Sequence, residues 1–289
     1  MAMTLSIRKL HDSLGAEILG VDLSTPLDPD TKSEIESAWK SFGVLVFRDQ
    51  NISDAEHVAF SRYFGELEVL PETDRTDVAI PEIFVLSNVD SCGKILPVES
   101  EAVIFNSLTW SWHTDSCYRK IPSKGAILHG IEVVDGGGGE TRFANLRQAL
   151  EEMPSSLRGQ IEGRKGQHSW SWMRSRVSLP PMSPEQEAQV PPVQHKLVRN
   201  HADGSQSLYI SPIYMRQIVG WEEEETRPLV EELTEWATQD RFVYQHSWLQ
   251  HDVVMWDNTW TMHMVLPYDT STQRRIMHRT AVAGVEAVL

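Results

Sequence analysis

The spacing of apolar positions changes along the chain, and the change predicts the layout. After Asp28-Pro29-Asp30 the apolar residues recur at helical spacing as far as about Ser41. Gly43 to Arg48 (GVLVFR) is a short apolar run that predicts a strand. Ser53-Asp54-Ala55-Glu56 is a capping box, with Phe60 and Phe64 one helical turn apart behind it. From about Ile83 the texture shifts to short strands with turn signals: IFVLSNV, the segment carrying His113-Thr114-Asp115, then AILHGIEVV. Gly136 to Gly139 predicts a turn before Glu140 to Phe143, with helices over Leu146–Glu152 and Pro154–Glu162. Residues 164–195 lack periodicity and hold Pro180, Pro181, Pro191 and Pro192, which predicts a long surface insertion and candidate lid. A strand at His195–Asn200, the run SLYISP and a helix at Pro228–Ala237 follow. FVYQHSW, DVVMWDN, TMHMV and RIMHRTAVAG close the chain as strands.

Strands that alternate apolar and polar, with helices gathered near the start, favour an antiparallel β core decorated by helices. One domain over 1–289 is expected. The glycine run lacks the spaced pattern of a phosphate-cradling loop, which disfavours a nucleotide-binding α/β fold. The net charge of −15 repels phosphate backbones and anionic lipid, so neither nucleic acid nor membrane is an expected partner. Any anionic substrate must then be caught by positive charge held locally in a cleft. Cys92 and Cys117 have no framework spacing, no run approaches a membrane span, and the charged start lacks a signal-peptide core. A cytoplasmic enzyme is expected, and a homo-oligomer.

His113 and Asp115 stand two apart, so on an extended strand both side chains point one way while Thr114 points the other. A second imidazole from the distant His263 would complete two histidines and one carboxylate on one face of a metal. That set leaves positions open, as in non-haem Fe(II) oxygenases. Ligand type alone also admits zinc, and with it a hydrolase or a non-catalytic binding module. The arginines that follow, Arg274 to Arg279, favour iron, because a hydrolytic zinc site has no evident need for a dicarboxylate clamp. Trp110, Trp112 and Tyr118 flank the motif, and Trp112 is the tryptophan expected nearest the metal. Arg274 and His278 neighbour Arg275 and Arg279 on a strand and are expected to point away. His129, His168, His246 and His251 have no partner spacing and are read as structural.

Taken in order, several segments together resemble the TauD/TfdA family of Fe(II)- and 2-oxoglutarate-dependent dioxygenases. They are GVLVFRDQNIS, the FG-x-LE turn at Phe64–Glu68, WHTD, GGGETRFANLRQAL, FVYQHSW, VVMWDN-x4-H and RRIMHRT. The likeness leans toward the aryloxyalkanoate (2,4-D) dioxygenase-like branch. The resemblance implies a mainly β fold with peripheral helices, an α+β double-stranded β-helix (jelly roll, cupin-like). It implies Fe(II) on His113, Asp115 and His263, with 2-oxoglutarate as cosubstrate and O2 as oxidant. Thr141 and Arg275 are implied to hold 2-oxoglutarate, and Arg279 to face the acidic group of the primary substrate. His201, Trp112 and Thr109 complete the implied substrate set. The chain departs from taurine-type members at Thr109, where they carry asparagine, and at Thr259, where arginine is common. The expected substrate is therefore a small, carboxylate-bearing and partly apolar molecule, oxidised at a C–H bond with release of succinate and CO2. An amino-acid derivative or a sulfonate is the alternative substrate.

Overall fold

The computed structural model describes residues 5–69 and 80–288; residues 1–4, 70–79 and 289 of the expected domain lie outside them. A seven-stranded sheet runs in the order Ser6–Lys9, Ala16–Leu19, Val44–Phe47, Val253–Asp257, Gly125–Glu132, Ile276–Val282 and Phe84–Ser87. Its pairings are antiparallel except that between Ala16–Leu19 and Val44–Phe47. A three-stranded antiparallel sheet, with Thr141–Asn145 between Val243–His246 and Thr261–Val265, packs against it. Two smaller antiparallel sheets complete the fold.

Strand periodicity explains how the layers join. In Val44–Phe47 all four residues are buried, because Val44 and Val46 face the smaller sheet while Leu45 and Phe47 face the helices. The inner cluster joins Val44, Val46, Leu128, Val254 and Trp256 of the large sheet to Phe143 and Tyr244 of the small one. The outer cluster joins Ile127, Met255 and Val282 to Ile35, Ala38 and Trp39 of helix Pro29–Phe42 and to Phe60 of helix Asp54–Ser61. Ser53 and Glu56 form the expected capping box. A third cluster covers the outer face of the small sheet, where Ala144, Met262 and Val243 meet helix Glu223–Ala237.

Three expectations need correcting. The His113 segment is not a strand but a single β-bridge to His263, followed by a turn in which Ser116 has φ 54°. Residues 164–195 are not structureless. They form strands Lys165–His168 and Val193–Lys196, paired with each other, and helices Trp170–Ser175 and Pro184–Gln189. The helix expected from Pro228 begins at Glu223, because its acidic first turn suits a helix N-terminus and a Glu222–Glu225 capping box closes it.

Between helix Asp54–Ser61 and the sheet lies a histidine cluster. His57 and His129 rings sit 6.1 Å apart and His129 and His251 rings 5.8 Å apart, while His278 pairs with Asp54 at 2.6 Å. Burial pushes His57 down to about 3 and His129 to about 4, and the buried His168 in the paired strands to about 3. All three folded values lie below the unfolded value near 6.5, so their contribution to stability is complete above that pH and is lost as pH falls toward about 4 for His129 and about 3 for His57 and His168. Unfolding free energies from urea titrations should therefore hold from pH 8 to about 6.5 and fall below it, by up to about 1.4 kcal/mol per pH unit for each histidine. A flat profile would mean that these imidazoles do not stay neutral in the fold.

Candidate metal centre and anion pocket

Thr114 hydrogen-bonds toward the carbonyls of Ile210 and Thr261, away from the side that His113 and Asp115 share. Antiparallel backbone bonds of 2.9 and 2.8 Å lock His113 to His263, which places the two rings 4.2 Å apart. One ligand atom each from His113, Asp115 and His263 lies within 4.8 Å of the others, and all three residues are buried. His113 Nε2 stands 4.0 Å from Asp115 Oδ1, and His263 Nε2 stands 3.8 Å from Asp115 Oδ2. Those separations are too long for hydrogen bonds and open enough to admit an ion.

Surrounding groups fix the chemistry of the ligands. His113 Nδ1 donates to the Ser111 carbonyl at 2.8 Å, so its Nε2 keeps a lone pair aimed at the centre. Burial holds both imidazoles below their usual value, His263 at about 3, which keeps them neutral as ligands must be. Burial pushes Asp115 upward, but Arg279, His263, His113 and Asn258 outweigh it and hold the carboxyl at about 2. Asn258 Nδ2 reaches Asp115 Oδ2 at 3.4 Å and Ser123 Oγ at 3.1 Å, while Trp256 Nε1 donates to Asn258 Oδ1 at 3.0 Å. The WDN motif thus braces the metal-binding carboxylate. The donor set, its neutral imidazoles and its ionised carboxylate fit a divalent iron ion.

One cavity joins this centre to the arginines. Thr109, Trp110, His113, Thr141, His263, Tyr268, Arg275 and Arg279 line it, together with apolar Leu86, Val103, Leu128, Trp256 and Val265. Arg275 is 6% exposed, and its Nη2 is buried with no partner among the described residues. Burial lowers its pKa, so an anion brought beside it would stabilise the charged form. Its backbone is fixed by Asn88, whose Oδ1 accepts from Arg275 N at 2.8 Å and whose Nδ2 donates to the carbonyls of Thr270 and Gln273. Arg279 donates to Asp115 Oδ1 at 2.8 Å, lies over the Phe84 ring, and has a buried Nε with no partner among the described residues. Arg274 points outward to Glu132. Gly138 and Gly139 let the preceding turn pass close to its neighbours: both have positive φ, and a Cβ would meet the Pro267 carbonyl at Gly138 or Val134 at Gly139 within 3 Å.

Other candidates lie elsewhere. Trp112 packs on the cluster over the small sheet's outer face, with the Arg142 guanidinium over its ring, whereas Trp110 lines the cavity. His201 sits on the hairpin after Asn200 with its Nε2 2.9 Å from Ser207 Oγ, away from the cavity lining. Thr109 lines the cavity, but its hydroxyl donates to the Asn106 carbonyl at 2.6 Å. Asn88 and Tyr268 were missed, since neither stands in a chemical motif; only the fold brings them to Arg275.

Residues 6–281 match the family described as taurine catabolism dioxygenase TauD, TfdA family. The chain is 32% identical over 251 residues to an alpha-ketoglutarate-dependent 2,4-dichlorophenoxyacetate dioxygenase of Cupriavidus pinatubonensis, covering 85% of this chain and 86% of that one. It is 31% identical over 294 residues to an (S)-phenoxypropionate/alpha-ketoglutarate-dioxygenase of Sphingobium herbicidovorans, covering 98% and 96%. The crystal structure of AAD-2 in complex with Mn(II) and N-oxalylglycine superposes with a TM-score of 0.89 at 36% identity, covering 99% of each chain. With the expected jelly-roll architecture and the buried His-Asp-His triad in place, the chain belongs to the TauD/TfdA family of Fe(II)- and 2-oxoglutarate-dependent dioxygenases.

Proposed function

We propose that the enzyme oxidises a C–H bond of a small aryloxyalkanoic acid or a closely related aromatic carboxylate, using Arg279 as its carboxylate anchor. The observation that carries this reading is the shared cavity, which sets a second, half-buried guanidinium beside the metal ligands and among apolar and aromatic side chains. The names of the relatives that act on phenoxy acids support it. Thr109 supports it too. Its proton is committed to Asn106, so it offers an anionic headgroup no donor where taurine-type members carry asparagine.

Iron and 2-oxoglutarate, when bound, supply the oxidising chemistry through decarboxylation of the cosubstrate to succinate and CO2. The chain's own part is placement. His113, Asp115 and His263 hold the metal on one side, and Arg275 and Thr141 hold the cosubstrate. Arg279 offers a substrate carboxylate a guanidinium already in the cavity, where a fixed fork selects planar anions. Trp110, Trp256, Leu128 and Val265 keep water from the reacting carbon.

The test is turnover of 2,4-dichlorophenoxyacetate and of both phenoxypropionate enantiomers, reading phenol and succinate together. Matched release of the two from at least one acid is expected, with Arg279→Ala raising that acid's KM by about tenfold or more but hardly changing that of its neutral amide. Succinate formed without phenol from every acid, or equal losses on acid and amide, would overturn the assignment.

A further inference from the structure

We infer that Trp248 is a positioning residue that sets the polarity of the cosubstrate pocket, by forcing the Thr141 hydroxyl to donate into it. This rests on the reading of Thr141 and Arg275 as the 2-oxoglutarate clamp. Trp248 Nε1 lies 2.9 Å from Thr141 Oγ1, and both residues are buried. A threonine hydroxyl can donate or accept, but an indole N–H can only donate. Thr141 must therefore accept from Trp248, and its single proton is left to point elsewhere. Among the described residues nothing takes that proton, and Thr141 lines the same cavity as the unpartnered Nη2 of Arg275. A buried donor without an acceptor is costly unless a ligand supplies one. The Thr141 proton and the guanidinium together present donors to the cavity, which suits a carboxylate.

The indole is itself held from behind. Its ring stands edge-on to His246, with centroids 4.6 Å apart and planes at 89°. His246 Nε2 pairs with Asp252 Oδ2 at 3.1 Å, and Asp252 also takes Leu249 N at 2.8 Å and the Arg48 guanidinium. Arg48 reaches the Ser247 carbonyl as well. The turn that follows Trp248 is thereby fixed on both sides, so the indole N–H is aimed before any cosubstrate arrives.

Trp248→Phe keeps an aromatic ring in the site and removes the donor, freeing the Thr141 proton to turn away; the loss of volume acts alike on both ligands of the comparison. Binding is measured anaerobically by calorimetry on Fe(II)-loaded protein, with 2-oxoglutarate and with 2-oxopentanoate, which has a methyl where the distal carboxylate would be. The variant should bind 2-oxoglutarate about three- to tenfold more weakly and 2-oxopentanoate no differently. Thr141→Val should show the same selective loss, and the double variant no further loss. Equal weakening of both acids, or none, would overturn the inference. Wild-type protein that binds the two acids alike would instead remove the clamp on which it rests.

Discussion

Replacing Asp115 with alanine should leave a protein that neither retains iron through gel filtration nor turns over any substrate. The carboxylate is the only anionic ligand of the triad, and it sits within 4 Å of both imidazoles. Losing even an outer partner of a metal ligand typically costs about 10- to 100-fold in affinity, so loss of the ligand itself should exceed that range. The substitution also strips Arg279 of its partner at 2.8 Å. Asp115→Asn therefore belongs beside it, since the amide keeps the shape and can still accept from Arg279 while losing the charge. Both variants should lose iron, measured by a colorimetric chelator, and Asn should melt closer to wild type. Iron retained by either variant at wild-type stoichiometry would refute the ligand assignment.

Arg275→Leu should have two effects of opposite sign. The 2-oxoglutarate requirement should rise about 100-fold or more, because a buried bidentate carboxylate contact is removed. The ligand-free protein should at the same time melt at a higher temperature. Arg275 is buried, with no partner for Nη2 among the described residues, and a leucine would remove that desolvated charge. An unchanged KM for 2-oxoglutarate would take the role from Arg275. A fall in melting temperature would mean that the guanidinium stabilises the empty pocket.

Much of this was legible in the chain because local rules and the fold agreed. The Ser53–Glu56 box opens a helix where expected, and the apolar run at Val44–Phe47 is a strand. The two-residue spacing of His113 and Asp115 served even without a strand. A lone bridge to His263 and a turn were enough to turn both side chains one way and Thr114 the other. Parity does not separate Trp110 from Trp112, which stand two apart; the short helical turn Leu108–Trp110 is what carries Trp110 into the cavity. The strands within residues 164–195 were hidden because Lys165–His168 is built from glycine and polar residues and is ordered by its two neighbours, not by its own pattern. Asn88 and the donor role of Trp248 depend on contacts across more than one hundred positions, beyond any periodicity, and Tyr268 reaches the cavity from a loop that carries no motif.

The walls of the cavity divide by origin in a way that bears on how such an enzyme acquires new substrates. Arg275, Arg279, Thr141 and His263 stand on or beside sheet strands tied into the core, whereas Val103, Asn106, Ser107, Thr109 and Trp110 belong to one short helix and the turn after it. Mutations within that single peripheral segment can reshape what enters the cavity without touching the strands that hold metal and cosubstrate. Selection, natural or in the laboratory, thus has eight contiguous positions, 103 to 110, on which to retune specificity while the oxidising apparatus is inherited intact.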